Sequence, residues 1–407
     1  MRAALLFALL TLTFAGIYQP YYQQAYQIAV AMTLDQKIGQ CLQVDFGAFS
    51  HKNKTDQNAA IKLHLGSLLI GGDGMPNSDG DMIEIPDKED QDRQVYATAT
   101  VDKWQKLAQK FNYTITVTTS DNKKYDIRPL LGTDAVHGNQ HVSGTILFPH
   151  NSGLACSHNP SNFYNAGKWT AQGVKLSGFN YAFSPTVAVS HNPQWGRYYE
   201  TMGQESEDIY AYAKAYTEGL QGKSSSLTGI LGSVKHFYAD GATLFGADEG
   251  NAIVGSYKSF IKHNTQGYNG SIAANIGSVM VSYSSINWVP NAIGPAIQTI
   301  LRQKLQFDGF VISDYDEMQR IINQGFPTNF NIMNASWDSV STMLNAGVDM
   351  FMIPGYRGTG AISDVINGFK TALKNKTITE DRINDAVARI ISVKLALGAA
   401  NLVTSEG

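Results

Sequence analysis

Residues Gly309–Met318 read GFVISDYDEM, an apolar run that ends abruptly in Ser313, Asp314 and Tyr315. A run this apolar is typical of a strand buried on both faces, as in a parallel sheet. A carboxylate directly after such a strand lies at the carboxyl end of the sheet, where α/β barrels carry their active sites. The number of such strands in the chain therefore indicates which α/β fold it forms.

Short β-branched or apolar runs alternate with segments of helical spacing along most of the chain. Eight runs have strand character, namely Cys41–Asp45, Ser67–Ile70, Pro129–Gly132, Tyr181–Ser184, Ile230–His236, Ser278–Tyr283, Gly309–Ser313 and Val348–Ile353. Helical spacing follows in segments that include Asn162–Ser177, Glu205–Gln221, Pro290–Leu305 and Asp338–Ala346. Eight strand–helix alternations predict a (β/α)8 TIM barrel, an α/β fold, as a single domain over residues 32–402 after a signal peptide.

Three segments extend this pattern. Asp73–Gln91 and Phe111–Arg128 are rich in Gly, Asn, Asp and Thr, which predicts surface excursions of the barrel rather than separate domains. Thr379–Leu397 opens with a candidate N-cap and an acidic first turn, and its apolar residues share one face. This pattern predicts an amphipathic terminal helix.

Composition limits the class of protein. The 407 residues are 43% hydrophobic and 16% charged, with a formal net charge of −3, which indicates a compact globular chain. The near-neutral charge does not favour a nucleic acid partner. Two cysteines, Cys41 and Cys156, exclude a disulfide-stapled scaffold and leave open whether they pair.

The N-terminus predicts export. Residues 1–16 read MRAALLFALLTLTFAG, with one positive charge, an apolar run and small residues after it, which is the pattern of a signal peptide. A buried N-terminal helix is the alternative. No later apolar stretch reaches membrane length, so we expect a secreted protein or one in the lumen of the secretory pathway. Five glycosylation sequons agree with that route, at Asn53, Asn112, Asn269, Asn334 and Asn375.

Polar residues follow several of the predicted strands. They are Asp134 after the third, Arg197 in the loop after the fourth, Lys235 and His236 at the fifth, Tyr283 at the sixth, and Asp314 with Tyr315 at the seventh. Carboxylates beside cations and aromatic rings suit a sugar pocket, because charged groups bind hydroxyls and rings pack on the apolar sugar face. Retaining glycoside hydrolysis needs a carboxylate nucleophile, and Asp314 is the candidate. The alternative for Asp314 is a helix N-cap.

Six blocks of the sequence, in order, resemble the N-terminal barrel of glycoside hydrolase family three, the β-glucosidases and exo-β-glucanases. They are LLGTDAVHG (Leu130–Gly138), TILFPHNSGL (Thr145–Leu154), NPQWGRYYET (Asn192–Thr201), VKHFYADG (Val234–Gly241), VMVSYSSINW (Val279–Trp288) and GFVISDYDEM (Gly309–Met318). By this resemblance Asp314 is the nucleophile and Tyr315 the aromatic residue that lines the sugar site. Asp134, Arg197, Lys235, His236 and Tyr283 match positions that bind the terminal sugar. The resemblance implies an exo-acting retaining β-glucosidase that removes terminal β-linked glucose and needs no cofactor.

The proton donor is where this chain departs from the family. Larger members carry the acid on a second, sandwich domain, and this sequence ends soon after its last predicted helix. Single-domain β-N-acetylglucosaminidases of the family use a His of an Asp-x-His pair, whereas Ala242–Asn251 reads ATLFGADEGN. We therefore expect a separate sandwich domain or chain to supply the acid, with Glu249 as a stand-in whose alternative role is structural. After Asp314 the sequence reads Tyr-Asp-Glu-Met, whereas the plant exo-hydrolases of the family have a block like Trp-Glu-Gly-Ile, so the resemblance does not carry over the outer sugar contact.

Other interpretations remain open at this point. His137 and His141 raise the possibility of a metal-dependent hydrolase, although such a site needs three or four converging ligands, and we expect no metal. A non-catalytic sugar-binding barrel would keep the pocket without the acid. The chain could also be a fragment of a longer two-domain β-glucosidase. Arg197 and Glu200 could form a loop salt bridge that does not touch substrate.

Overall fold

A computed structural model describes residues 16–51, 54–70, 74–84, 99–222, 229–254, 257–323, 336–356 and 358–403 of the chain. Residues 1–15 of the predicted signal peptide lie outside the described residues, as do the sequons at Asn53 and Asn334. In the described part of the chain, no helix combines the length and the apolar character needed to cross a membrane.

Eight parallel strands form the central sheet. They are β1 Leu42–Asp45, β2 Ser67–Ile70, β3 Leu130–Thr133, β4 Tyr181–Ala182, β5 Leu231–Phe237, β6 Ser278–Val281, β7 Phe310–Ile312 and β8 Phe351–Ile353. Each strand pairs with the next along the chain from β1 to β7, and β8 pairs with β1. A parallel bridge between Ile312 and Met350 joins β7 to the segment before β8. The predicted (β/α)8 barrel is confirmed.

Helices surround this sheet. They are α1 Gln19–Ala31, α2 Leu34–Gln40, α3 Gln57–Lys62, α4 Val101–Lys110, α5 Asn151–Ala155, α6 Pro160–Leu176, α7 Ser206–Gln221, α8 Tyr257–Asn264, α9 Gln266–Ala273, α10 Glu317–Asn323, α11 Ser336–Ala346, α12 Gly358–Lys374 and α13 Glu380–Leu397. All strands of the barrel are buried on both faces, so their apolar side chains pack against these helices on one side and fill the barrel on the other.

Small sheets of two or three strands lie outside the barrel sheet. Hairpins form between Ile115–Thr118 and Lys124–Ile127, to which Ala400–Leu402 adds a strand, and between Gly74–Pro76 and Met82–Glu84. These hairpins lie within the two predicted surface excursions. Further short strands are Ser50–His51 with Lys54–Thr55, and Asn251–Ala252 with Ser285–Ile286 and Val289–Pro290. Short 3₁₀ turns span Phe46–Phe49, Tyr198–Glu200, Asp240–Ala242 and Leu244–Gly246.

The predicted helix over Pro290–Leu305 is wrong in its first half. Val289–Pro290 pairs as a strand with Ser285–Ile286, and a π-helical segment begins only at Ile297 and ends at Arg302. Pro295 explains the late start, because proline has no N–H to donate and disfavours a helical conformation at the residue before it.

The terminal helix forms as predicted. The Thr379 hydroxyl accepts a hydrogen bond from the Arg382 N–H at 3.2 Å and so caps α13. The apolar face of α13 is buried, and the helix packs against α1. Cys41 is buried, Cys156 is exposed, and both are free thiols in this structure.

Candidate functional site

A cavity of about 420 Å³ opens at the carboxyl ends of the barrel strands. Seven of the residues predicted for the site line it, namely Asp134, Arg197, Lys235, His236, Tyr283, Asp314 and Tyr315. They come from four strand ends and one loop, and only closure of the barrel brings them together. The cavity lies within the range of about 300–1,000 Å³ usual for small-molecule sites.

Asp314 follows β7 and is only 8% exposed. Its Oδ1 accepts a hydrogen bond from the Tyr315 N–H at 2.7 Å, and its Oδ2 lies 3.8 Å from His236 Nε2. Burial raises the pKa of Asp314, whereas the Tyr315 N–H and the charges of Lys235 and Arg197 act in the opposite direction. The Tyr315 N–H therefore holds one carboxylate oxygen in place, and the two cations partly offset the effect of burial on the pKa of Asp314.

Lys235 and Asp134 form an ion pair in the lining of the cavity. Lys235 Nζ lies 2.6 Å from Asp134 Oδ1, and Lys235 is almost fully buried while Asp134 is partly open to the cavity. Burial alone would raise the pKa of Asp134, but the charge of Lys235 and its hydrogen bond, with His141 and Arg197, lower it below the usual value. Asp134 is thus ionised and presents acceptor oxygens to a ligand.

Arg197 is tied to its own loop. Its Nε and Nη2 donate to the two oxygens of Glu200 at 2.7 and 2.9 Å, and the Thr186 hydroxyl donates to Glu200 Oε2 at 3.1 Å. The salt bridge predicted as an alternative is therefore present. Arg197 nevertheless also lines the cavity, because a guanidinium has five donors and the two bonds to Glu200 leave others available.

The two tyrosines form part of the wall. The Tyr283 hydroxyl donates to the Tyr315 carbonyl, and burial raises the pKa of Tyr283. The Tyr315 hydroxyl donates to Asp45 Oδ2 at 3.3 Å and accepts from the Gly355 N–H at 3.2 Å. These bonds to neighbouring strand ends hold both tyrosine side chains in place in the cavity lining.

Glu249 lies beside this cavity rather than in its lining. It contributes to a small adjoining cleft whose walls also include Tyr283 and Asp314. Its carboxylate pairs with Arg320, whose guanidinium carbon lies 4.0 Å from the centre of the Tyr283 ring. The proposed stand-in acid is thus already engaged by a cation.

Two buried carboxyl groups contact residues of the candidate site, and the sequence did not point to either of them. Asp240 is buried and its Oδ2 lies 3.0 Å from His236 Nδ1. Glu317 is buried, and its Oε2 accepts a hydrogen bond from the Asp314 N–H at 2.9 Å. Burial raises the pKa of Glu317 to about 8, and the charge of Asp314 adds to this. The sequence shows that Asp240 follows soon after Lys235 and His236. It does not show that the chain folds back after the strand and brings Asp240 into contact with His236.

His137 and His150 also line the cavity. Their ring centroids are 4.1 Å apart, and His150 makes an edge contact with Tyr199. His137 Nδ1 lies 2.9 Å from the Phe148 carbonyl oxygen. Within the described ranges, no group of three or more His, Cys, Asp or Glu side chains is arranged to hold a metal ion.

Comparison with known proteins gives consistent findings. The family model described as Glycosyl hydrolase family 3 N terminal domain matches residues 33–393. The chain is 25% identical to a lysosomal beta glucosidase of Dictyostelium discoideum over 383 residues, which are 90% of this chain and 43% of that protein. It is 29% identical to a periplasmic beta-glucosidase of Salmonella typhimurium over 66% of this chain and 33% of that protein.

A solved structure shows the same fold. The exo-1,3/1,4-beta-glucanase from a Pseudoalteromonas species matches with a TM-score of 0.72 and 27% identity, over 93% of this chain and 43% of that one. The chain spans less than half the length of these relatives.

Proposed function

The chain belongs to glycosyl hydrolase family 3, and we propose that its barrel removes terminal β-linked glucose from oligosaccharides or glucosides with retention of configuration. The observation that supports this best is the position of Asp314, a buried carboxylate in a cavity that also presents Asp134, Arg197 and Lys235. Asp134 can accept hydrogen bonds from sugar hydroxyls, and Arg197 and Lys235 can donate to them. Asp314 lies among these groups as the proposed nucleophile.

The proposed reaction has two steps. An Asp314 oxygen attacks the anomeric carbon, the bond from that carbon to the glycosidic oxygen breaks, and an acid protonates the leaving oxygen. Water then attacks the same carbon, returns the electron pair to Asp314 and gives its proton to the conjugate base of the acid. Lys235 and Arg197 stabilise the ionised Asp314 before attack.

We do not assign the acid of the proposed reaction to a residue of the barrel. Glu249 pairs with Arg320 and lies outside the main cavity lining, so its carboxyl is not free for this work in the present arrangement. We therefore place the acid on a sandwich domain or chain that approaches the cavity mouth.

Covalent trapping tests the proposal. A 2-deoxy-2-fluoro β-glucoside with an activated leaving group should label the wild type without help from the acid, because deglycosylation is slowed and departure needs no proton. Peptide mass spectrometry should place the label on Asp314. Asp314→Asn should remove it, whereas Asp316→Asn, a matched change at the next carboxyl, should keep it. Glucose binding without any label would instead indicate a non-catalytic sugar-binding barrel and would refute the assignment of Asp314.

We also propose that the protein follows the secretory route. The three sequons in the described part of the chain, at Asn112, Asn269 and Asn375, are exposed, as glycosylation requires. Treatment of the protein from its natural source with an endoglycosidase specific for N-linked glycans should lower its mass. An unchanged mass, together with an intact residue 1 in the mature protein, would contradict this route.

A further inference from the structure

The lining of the cavity has a buried part and an exposed part. Asp314, the proposed nucleophile, is almost fully buried. Among the described residues of the lining, three are exposed, namely Gln140, His150 and Tyr199, and the exposed fraction of Tyr199 is 46%. These three residues lie on the loops that follow β3 and β4. A ligand long enough to reach from Asp314 to the solvent therefore passes the exposed part of the lining.

Three aromatic rings are in contact on this side of the cavity. The ring centroids of His137 and His150 are 4.1 Å apart, and those of His150 and Tyr199 are 4.7 Å apart with an interplanar angle of 75°. All three side chains line the cavity, and we call them the aromatic wall. Such rings offer the kind of surface on which the apolar face of a sugar ring packs.

Buried hydrogen bonds hold the two loops of the aromatic wall together. Asn151, which directly follows His150, is buried, and its Nδ2 donates to the Glu200 carbonyl at 2.9 Å. Glu200 directly follows Tyr199, and its carboxylate accepts two hydrogen bonds from Arg197. The backbone is therefore anchored next to both His150 and Tyr199. A wall that is already in place loses little conformational entropy when a ligand packs on it.

Polar groups accompany the rings. His137 Nδ1 lies 2.9 Å from the Phe148 carbonyl oxygen, which can only accept, so Nδ1 carries a proton. In the neutral ring Nε2 is then an acceptor, and it makes no hydrogen bond within the residues that the structure describes. The exposed amide of Gln140 offers both donors and an acceptor. Ring faces beside such groups suit a sugar better than a purely aromatic ligand, because only the sugar carries several hydroxyls.

We propose that the aromatic wall binds the second sugar of the substrate, the pyranose that departs when the terminal glucose is transferred to Asp314. Tyr199 and His150 contact the face of this pyranose, and Gln140 and His137 bind its hydroxyls. The inference rests on the proposed glycosidase function. It makes Tyr199 and His150 specificity-determining residues that favour oligosaccharides over simple glucosides. Because the wall consists of barrel residues, this preference is measurable with the present chain alone.

Binding of uncleavable ligands tests the proposal without the acid. The probes are glucose, phenyl thio-β-glucoside, and the sulfur-linked disaccharides thiocellobiose and thiolaminaribiose, each titrated by isothermal calorimetry. At least one thio-disaccharide should bind the wild type more tightly than glucose does. Tyr199→Ala and His150→Ala should each weaken that disaccharide about twofold to tenfold, as expected for loss of one aromatic contact, and should leave glucose affinity unchanged.

Two control variants separate ring contact from general damage to the loop. Tyr199→Phe keeps the ring and should bind the disaccharide as the wild type does. Tyr198→Ala removes the adjacent tyrosine of the same 3₁₀ turn, whose hydroxyl accepts a hydrogen bond from Gln204 Nε2 at 2.8 Å and whose side chain does not line the cavity. This variant should leave the affinities for glucose and for the disaccharide unchanged.

The outcomes distinguish this inference from the proposed function. Equal affinities of the wild type for glucose and for both thio-disaccharides, or an advantage that survives both alanine variants, would overturn the inference and leave the glycosidase function in place. Tighter binding of phenyl thio-β-glucoside than of either thio-disaccharide would also overturn it, because the wall would then select an aromatic leaving group. Absence of glucose binding to the wild type would instead refute the proposed function, and this inference with it.

Discussion

Lys394 is a fully buried lysine on α13 whose ammonium group has no carboxylate partner in the part of the chain that the structure describes. Its Nζ donates to Gln40 Oε1 at 2.7 Å, and it is 0% exposed. Burial lowers the pKa of Lys394 from 10.5 to about 7. We predict that Lys394→Met stabilises the protein at neutral pH and below.

The magnitude follows from linkage. The difference between the two pKa values of Lys394 corresponds to about 5 kcal/mol of unfolding free energy when both states carry the charge, below about pH 7. As pH rises from 7 to 10, the folded chain holds fewer protons than the unfolded chain, so the free energy of unfolding of the wild type rises and the penalty disappears. In Lys394→Met, the destabilisation caused by the buried charge of Lys394 is absent at all pH values. The substitution also leaves Gln40 Oε1 unpaired, which costs about 1–3 kcal/mol.

The net gain at pH 7 is therefore about 1–4 kcal/mol. The sharper result is its pH dependence, because the advantage of Lys394→Met should shrink by about 2 kcal/mol between pH 7 and 9. Guanidinium denaturation followed by tryptophan fluorescence at several pH values measures this. Lys374→Met, a change at an exposed lysine in the last turn of α12, is the matched control and should show no such trend. A gap that stays constant from pH 6 to 9 would refute the reasoning.

Two more predictions concern stability. Burial first, and Asp314 next, raise the pKa of Glu317 from 4.5 to about 8, so the folded chain binds the extra proton and the wild type loses stability as pH rises through this window. Glu317→Gln should remove that loss. In the same denaturation assay, the difference in free energy of unfolding between this variant and the wild type should grow in favour of the variant by on the order of 4 kcal/mol from pH 5 to pH 8. An equal difference at both pH values would count against this prediction. Thr379→Ala should lower the free energy of unfolding by about 1 kcal/mol through loss of the cap on α13, seen as a lower thermal midpoint, whereas Thr379→Ser should keep it; equal losses in both variants would exclude capping as the cause.

The strands were predictable because their signal is local. Runs such as Phe310–Ile312 are apolar without interruption, and only burial on both faces suits such a run. The helix expected from Pro290 was wrong because hydrophobic spacing alone does not weigh the effect of Pro295 on the backbone. The hydrophobic pattern therefore predicted whether most elements are helices or strands, but it did not predict where this helix begins.

The site was predictable to the extent that its residues end strands. Asp134, Lys235, Tyr283 and Asp314 each follow an apolar run, and parallel strands must place such residues at one end of the barrel. Asp240 and Glu317 gave no such signal, because Asp240 begins a 3₁₀ turn and Glu317 begins α10, so neither directly ends a strand. Their contacts with His236 and Asp314 depend on how these segments fold back onto the strands.

The sequence by itself determined the barrel, the family resemblance and the choice of Asp314 as the candidate nucleophile, because strand burial, strand order and a carboxylate at a strand end are properties of short stretches of chain. Only the tertiary structure decided which charges are paired and where the protons lie. The partners in two pairs, Lys235 with Asp134 and Arg320 with Glu249, are far apart in the sequence and meet only in the folded chain. The physical reason is that a pKa depends on burial and on charges within a few ångströms, and both are set by residues distant in sequence.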